Sequence, residues 1–404
     1  MNKKMLVLWI LILISTGTTW CQSPSRVVGY LPSWENFSQA IESTDFDHYS
    51  HIMVAFANPD MQGDFSINAT NDAEISKLIT EAHKAGCRVL MSIGGGSTTI
   101  NEAWEENLKA DKRNVLINNL VEFMSLKGFD GVDVDLEGDL VLSEYYDEFV
   151  RELDEKLPES KLLTAAMATW SATGLKPETL DRYDFIAVMS YDQTGPWNAS
   201  IPGQHSSYEK AENDLDYWIN TKGVDRDRVV LGLPFYGYNF VSTTNVYSMG
   251  YKEIVSQYEG AEESDQIENI YYNGQKTIKA KSELALEKAG GVMIWQILQD
   301  VDYSDDRSLL KTIHSVISPV HEVILSSLSV EADSIYPNPC SKYLILPEVE
   351  EGDSIKVLSP DGQLVATYPV ESGKKIKIEG LPAGWYYLIW ESDGKKVGKR
   401  FLKK

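Results

Sequence analysis

Between residue 27 and about 318 the chain repeats one alternation: a short apolar run rich in β-branched residues, then a longer amphipathic stretch. The apolar runs are "RVVGYLP", "SHIMVAFA", "RVLMSIG", "FDGVDVDLE", "KLLTAAMA", "DFIAVMSYD", "RVVLGLPFYG" and "GGVMIWQI". Several are apolar at consecutive positions, as strands covered on both faces by helices must be. The stretches between them, such as "DAEISKLITEAHKAG", "RNVLINNLVEFMSLKG" and "SEYYDEFVRELDEKLP", space their apolar residues for one helix face. The first two close on Lys and Gly, a helix-stop signal. Eight such units predict an α/β fold, a closed (β/α)8 TIM barrel, with an open doubly wound sheet as the alternative.

The fourth run poses a chemical problem. In "GFDGVDVDLEGD" five acidic residues, Asp130, Asp133, Asp135, Glu137 and Asp139, crowd into what otherwise reads as a buried strand. Strand side chains alternate, so Asp133, Asp135 and Glu137 share one face at roughly 7 Å spacing, while Val132, Val134 and Leu136 face the helices. The acids then point into the barrel, with Glu137 nearest the C-terminal mouth, where barrel enzymes carry their chemistry. Asp130 has the opposite parity and is expected to serve backbone or a neighbouring strand. Three carboxylates in a low-dielectric interior cannot all ionise cheaply. They share protons, and their pKa values separate, which keeps a carboxylic acid protonated near neutral pH for general acid catalysis. A divalent metal site is the alternative. It is the less favoured because barrel metal sites draw ligands from several strands and the chain has only 6 histidines.

The pattern Asp130-x-x-Asp133-x-Asp135-x-Glu137 resembles the signature of glycoside hydrolase family 18, the chitinases and related enzymes. "GYLPSW", "SIGGG" (Ser92 to Gly96), "MSYD" (Met189 to Asp192), "LPFYGY" and "IWQI" resemble that family's first, third, sixth, seventh and eighth strands, in order, over residues 27 to about 300. The resemblance implies that Glu137 is the general acid/base. The substrate's own 2-acetamido group is then the nucleophile, a route outside the usual two-carboxylate scheme. It implies that Asp135 orients the acetamido group, that Asp133 shares a proton with Asp135, and that Tyr191 donates to the acetamido oxygen with Asp192 nearby. It implies no cofactor and no metal. Sugars present apolar C–H faces, so aromatic rings at strand ends are candidate platforms. Trp295 is expected beneath the sugar at the cleavage point. Tyr30 and Trp197 extend the track, and Met189 and Tyr236 complete the binding set; Trp34, Trp170 and Phe235 are as readily core as subsite.

Two departures bear on substrate. Glu137 is followed by "GD" where many chitinases have "YP", and "WQ" stands where Trp-Glu is more frequent. Only about 50 residues separate the seventh and eighth strands, where many exo-acting relatives carry a larger insertion. This implies an open cleft that suits endo cutting or a bulky glycan.

The ends of the chain read differently. "MNKK", "MLVLWILILI" and "STGTTWCQS" have the charge, apolar run and polar close of an export signal, assigned to residues 1–21. The apolar run is short for a bilayer span, and Trp20 before Cys21 argues against lipidation. The barrel is assigned to residues 24–318 and a linker to 319–332. From 333 to 404 the helical period vanishes and turns such as "YPNP", "SPDG" and "LPAGWYY" separate short strands, a small all-β, sandwich-like domain. It resembles the C-terminal sorting domain of the type IX secretion system of Bacteroidetes, which implies secretion machinery as a partner and export through the periplasm of a Gram-negative bacterium to the surface or medium. A carbohydrate-binding sandwich displaying Trp385 and Trp390 is the alternative. Net charge of −23 argues against nucleic acid or anionic membranes as partners and suits a neutral polymer. Of the 3 cysteines, Cys21 falls in the signal, while Cys87 and Cys340 fall in different domains, so no disulfide framework is read.

Overall fold

A computed structural model describes residues 25–67 and 72–317 and, with short gaps, residues 335–404. The segments assigned to the export signal and the linker lie outside the described residues.

Eight parallel strands form the barrel: β1 (Arg26–Pro32), β2 (His51–Pro59), β3 (Arg88–Gly94), β4 (Gly131–Asp135), β5 (Leu162–Met167), β6 (Phe185–Val188), β7 (Val229–Pro234) and β8 (Gly291–Trp295). Each pairs with its sequence neighbour. β1 pairs with both β2 and β8, which closes the sheet and decides against the open alternative. Strand parity divides the core in two. Val28, Tyr30, Met53, Leu90, Phe185, Val230 and Met293 fill the barrel, whereas Val27, Leu31, Ile52, Val89, Val132 and Val134 pack outward under the helices. Period-2 alternation between two buried environments is why these strands read as apolar throughout.

The helices follow the spacing read from sequence. Asp72–Ala85 buries Ile75, Leu78, Ile79 and Ala82, and Arg113–Lys127 buries Leu116, Ile117, Leu120 and Met124. The latter ends at Gly128, whose φ of 86° is the left-handed conformation that a glycine accepts without a Cβ clash.

Between β7 and β8 the chain builds a four-stranded antiparallel sheet from Tyr236–Ser242, Asn245–Gly250, Gln266–Ile267 and Ile270–Tyr271, then the helix Gln275–Lys288. The C-terminal part has its own core, including Leu344, Ile355, Val357, Ile376, Leu388, Trp390 and Phe401. Strands Ser354–Leu358, Leu364–Pro369, Gly384–Ser392 and Lys395–Lys403 form one antiparallel sheet, and Tyr343–Ile345 pairs with Lys375–Lys377. Trp390 is 4% exposed, so it offers no face to a polysaccharide. That removes one of the two rings on which a carbohydrate-binding reading of this domain rested. Cys87 and Cys340 are both buried free thiols.

Candidate active site

β4 places its acids as the alternation requires. Asp133 is fully buried in the barrel and Asp135 nearly so. Asp133 lies level with Ser92 on β3 and Thr164 on β5, its register partners on either side. Both hydroxyls donate to it at 2.7 Å, Ser92 to Oδ2 and Thr164 to Oδ1. A third donor crosses the barrel: Tyr30 Oη donates to Asp133 Oδ2 at 2.7 Å. Burial raises the Asp133 pKa, and these three hydrogen bonds oppose the rise by favouring the carboxylate.

Asp135 sits one step nearer the mouth in different company. Its Oδ1 is buried without a hydrogen-bond partner among the described residues. Burial, then the charges of Glu137 and Asp133, push its pKa well above the ordinary carboxylate range. A buried polar atom left unpaired is costly in a stable fold, and this one lies in the barrel beside Glu137 with acceptor capacity to spare. Glu137 lies two residues beyond the strand end and is partly exposed. Burial, then the charge of Asp192, raises it from 4.5 to about 7. It is therefore a carboxyl that can hold a proton at neutral pH yet release it, the requirement for an acid that later acts as base.

The glycines of "SIGGG" make this mouth possible. Gly94 pairs with Asp135, and a Cβ at Gly94 would lie 2.2 Å from the Asp135 carbonyl oxygen. Gly95 donates its N–H to that same oxygen at 2.7 Å. A Cβ at Gly96 would come within 3.1 Å of Glu137 Oε1. Side chains here would occupy the space that the acids need.

Tyr191 and Asp192 follow the end of β6. Tyr191 is buried, and among the described residues its hydroxyl reaches only the weak acceptor Met293 Sδ, at 3.9 Å. Asp192 adopts φ 60°, a left-handed conformation uncommon for a residue with a side chain. Its Oδ1 accepts from two tyrosines of the insertion, Tyr236 Oη and Tyr238 Oη at 3.0 Å. The ring of the fully buried His205, from the loop after β6, lies 3.3 Å from that oxygen, and its Nδ1 accepts from Asp192 N at 3.4 Å.

The candidate platforms separate by exposure. Trp295, partly exposed, lies near parallel to Phe56, with centroids 5.8 Å apart and planes at 22°. The half-exposed Trp34 stacks on Phe56 in turn. Trp197 is 61% exposed and meets Tyr238 edge-on. Tyr30 and Tyr236 are buried, and each spends its hydroxyl on a carboxylate. Met189 lies partly buried against the barrel interior. Asp130 faces away from the site, accepting from Val89 N and meeting His83 Nε2, each at 2.8 Å. Among the described residues, no three His, Cys, Asp or Glu side chains are placed to hold a metal ion.

Residues 26–300 match the family described as Glycosyl hydrolases family 18. The chain belongs to this family. Residues 334–404 match the secretion system C-terminal sorting domain, a tail that indicates export to the cell surface or beyond. Among solved structures, the chain is similar to the family 18 chitinase ChiB from the chitin utilization locus of Flavobacterium johnsoniae. The two are 36% identical with a TM-score of 0.67, over 72% of this chain and 94% of that one. It is also similar to a chitinase from Bacteroides thetaiotaomicron, at 27% identity and TM-score 0.65, over 73% and 97%. A class V chitinase from Lotus japonicus is 28% identical over 54% of this chain and 61% of its own length. The chain thus spans about three fifths of that curated relative. No helix among the described residues is long and apolar enough to cross a membrane.

For this family 18 chain, sequence reasoning left His205, Tyr238 and Phe56 unnamed. His205 sits in the loop "IPGQHSSYE", which has no periodicity or motif to single it out. Phe56, in the C-terminal half of β2, carried a usable signal, an aromatic ring in the upper part of a barrel strand, and Tyr238 closes the quoted "LPFYGY".

Proposed function

We propose that this chain is a retaining glycoside hydrolase that cuts β-1,4-linked N-acetylglucosamine polymers, chitin or its oligomers, by substrate-assisted catalysis. Glu137 donates its proton to the glycosidic oxygen. As that bond breaks, the acetamido oxygen of the sugar attacks the anomeric carbon and closes an oxazolinium ring. The Glu137 carboxylate then takes a proton from water, which attacks the same carbon and restores the original configuration. Asp135 accepts the acetamido N–H, Tyr191 donates to the acetamido oxygen, and Asp133 tunes Asp135 from below. Trp295 supplies the floor.

The observation that carries this reading is the pairing of Asp135, with an unpaired buried oxygen, and Glu137, raised to about 7, at one barrel mouth. The free oxygen suits an N–H donor that comes with the sugar, and the raised carboxyl suits proton delivery. Retention of this glutamate, together with Asp135 and Tyr191, favours an enzyme over a sugar-binding lectin on the same scaffold. The family match and the chitinases among the similar structures support chitin as the substrate class.

Glu137→Gln keeps shape and hydrogen bonding but cannot deliver a proton. Hydrolysis should fall by roughly 10²–10⁴-fold or more, with oligosaccharide affinity by calorimetry nearly unchanged. Wild-type turnover in this variant would remove Glu137 from the mechanism. Parallel incubation with a chitin hexamer and a high-mannose glycoprotein, read by mass spectrometry, fixes the substrate. Short chitin oligomers are the expected products. Intact glycans released from the protein, with the hexamer untouched, would assign an endo-β-N-acetylglucosaminidase instead.

A further inference from the structure

Lys281, on the helix Gln275–Lys288, is a fully buried lysine with no role in the reaction drawn above. Burial disfavours an ammonium and pulls its pKa down to about 7, with Lys210 adding to the fall and Asp265 and Asp214 opposing it. Neither carboxylate pairs with it. Asp265 accepts from Gly274 N and Thr277 Oγ1, and Asp214 accepts from Ser190 Oγ and pairs with Lys210. Lys281 Nζ instead donates to three neutral oxygens: Ser206 O and Ser206 Oγ, each at 2.7 Å, and Asn273 Oδ1 at 2.8 Å. Three donors meeting three acceptors satisfy the ammonium completely.

Two of those three acceptors belong to one residue, and that residue is a junction. Ser206 Oγ donates a hydrogen bond to the carbonyl of Ser190 at 2.7 Å, immediately before Tyr191 and Asp192. Asn273, the third acceptor, returns a hydrogen bond to Ser206 O at 2.8 Å. Directly before Ser206 in the chain stands His205. Its Nε2 faces the Tyr236 carbonyl at 3.2 Å, and its Nδ1 faces Asp192. A carbonyl can only accept, so Nε2 carries the proton and Nδ1 accepts, from Asp192 N at 3.4 Å. The His205 carbonyl in turn accepts from Gln193 N, so the same loop holds Asp192 from both sides.

We propose that Lys281 is a positioning residue for the active site: by gripping Ser206 it fixes His205 against Asp192, and through Asp192 it sets the charge that Glu137 feels. The inference rests on the catalytic reading of Glu137 given above. An apolar residue of similar volume would fill the same space on that helix without desolvating a charge. What the lysine adds is a three-point hold on one loop residue.

The test replaces Lys281 with Met, which keeps the length and loses the donors, in the full chain. Ser206→Ala is the second variant should that protein not fold, since it removes the link from Lys281 to the Ser190 carbonyl with a minimal change of volume. Three readouts are taken on chitin hexamer and on the protein alone: kcat and KM, the pH at which activity falls on the alkaline side, and the His205 ring signals by nitrogen-edited NMR. The expected result is a kcat loss of about tenfold with KM within about twofold, an alkaline fall displaced to lower pH, and shifted His205 signals. In an Asp192→Asn background the Lys281 change should have no further effect on that pH. A lowered melting temperature with unchanged kcat, pH profile and His205 signals would overturn the proposal, as would an equal loss in the Asp192→Asn background. Wild-type protein inactive on both hexamer and glycoprotein would refute the catalytic reading separately, while the His205 signals still decide whether Lys281 sets that ring.

Discussion

Asp133, Asp135 and Glu137 carry the same functional group, and their surroundings give them three different characters. Asp133 is buried but surrounded by hydroxyl donors from three other strands. Asp135 is buried at Oδ1 with no donor there among the described residues. Glu137 keeps partial solvent contact and feels Asp192. The Asp192 charge is the lever on the acid. Removing an anion near Glu137 makes its ionised form easier to reach and so lowers its pKa. Asp192→Asn should therefore move the alkaline fall of kcat/KM to lower pH, the direction opposite to that for loss of a nearby cation. Rates across about pH 3 to 9, a window spanning the raised value and the ordinary carboxylate range, measure this. An unmoved alkaline limb would show that Asp192 does not act on Glu137. The same shift has a stability consequence. A carboxyl whose folded pKa lies above its unfolded value contributes stability below about 4.5, which is lost as pH rises through about 7. Glu137→Gln should flatten that part of the melting-temperature profile.

At the scale of elements, β3 and β4 meet closely at the mouth. Gly94, which ends β3, and Gly95 and Gly96 beyond it let the backbone lie against the last residues of β4, and the Gly95 N–H closes on the Asp135 carbonyl. Gly94 has φ 105°, outside the range comfortable for a side chain, and its Cβ would overlap backbone rather than a movable side chain. Gly94→Ala should cost about 2 kcal/mol or more, from strain and displaced strands together. Urea denaturation would register that as a lower midpoint, and activity should fall too because Asp135 moves with its backbone. A midpoint equal to wild type would mean that the strand ends relax apart freely. The insertion between β7 and β8 acts on the same mouth from the other side, delivering Tyr236 and Tyr238 to Asp192.

For the molecule as a whole, two cores are built separately. The barrel residues pack among themselves, and the C-terminal strands form a distinct cluster around Leu344, Val357, Leu388 and Phe401. Units with separate cores tolerate separation. Removing residues from 325 onward should leave the barrel folded, with Tm within about 2 °C, less than about 1 kcal/mol for a domain of this size, and kcat on soluble chitin oligomers unchanged. In a host that exports the full chain through a type IX system, the shortened one should stay in the cell envelope. Its appearance in the medium at wild-type level would refute a sorting role for the tail. Export unchanged with a selective loss of binding to solid chitin would assign the tail to carbohydrate instead.

What the sequence determined by itself is whatever repeats at short range. Eight apolar runs set eight strands, and alternation along "FDGVDVDLE" put Asp133 and Asp135 on the interior face because strand side chains alternate without regard to the rest of the fold. Helix faces and the Gly128 stop were equally local. Only the tertiary structure decided what each acid would meet. Tyr30 was read as a sugar platform because aromatic rings at strand ends suit sugars, yet it turns inward to Asp133, 103 residues away in the chain. Barrel closure between β1 and β8 brings it there. His205, Tyr236 and Tyr238 converge on Asp192 through a loop and an insertion whose paths no periodicity describes. Trp390, which the carbohydrate-binding alternative put at the surface, closes a core instead. Backbone alternation is fixed by neighbours in sequence, whereas hydrogen-bond partners and exposure are fixed by neighbours in space. Those exist only once register, closure and packing have been settled together.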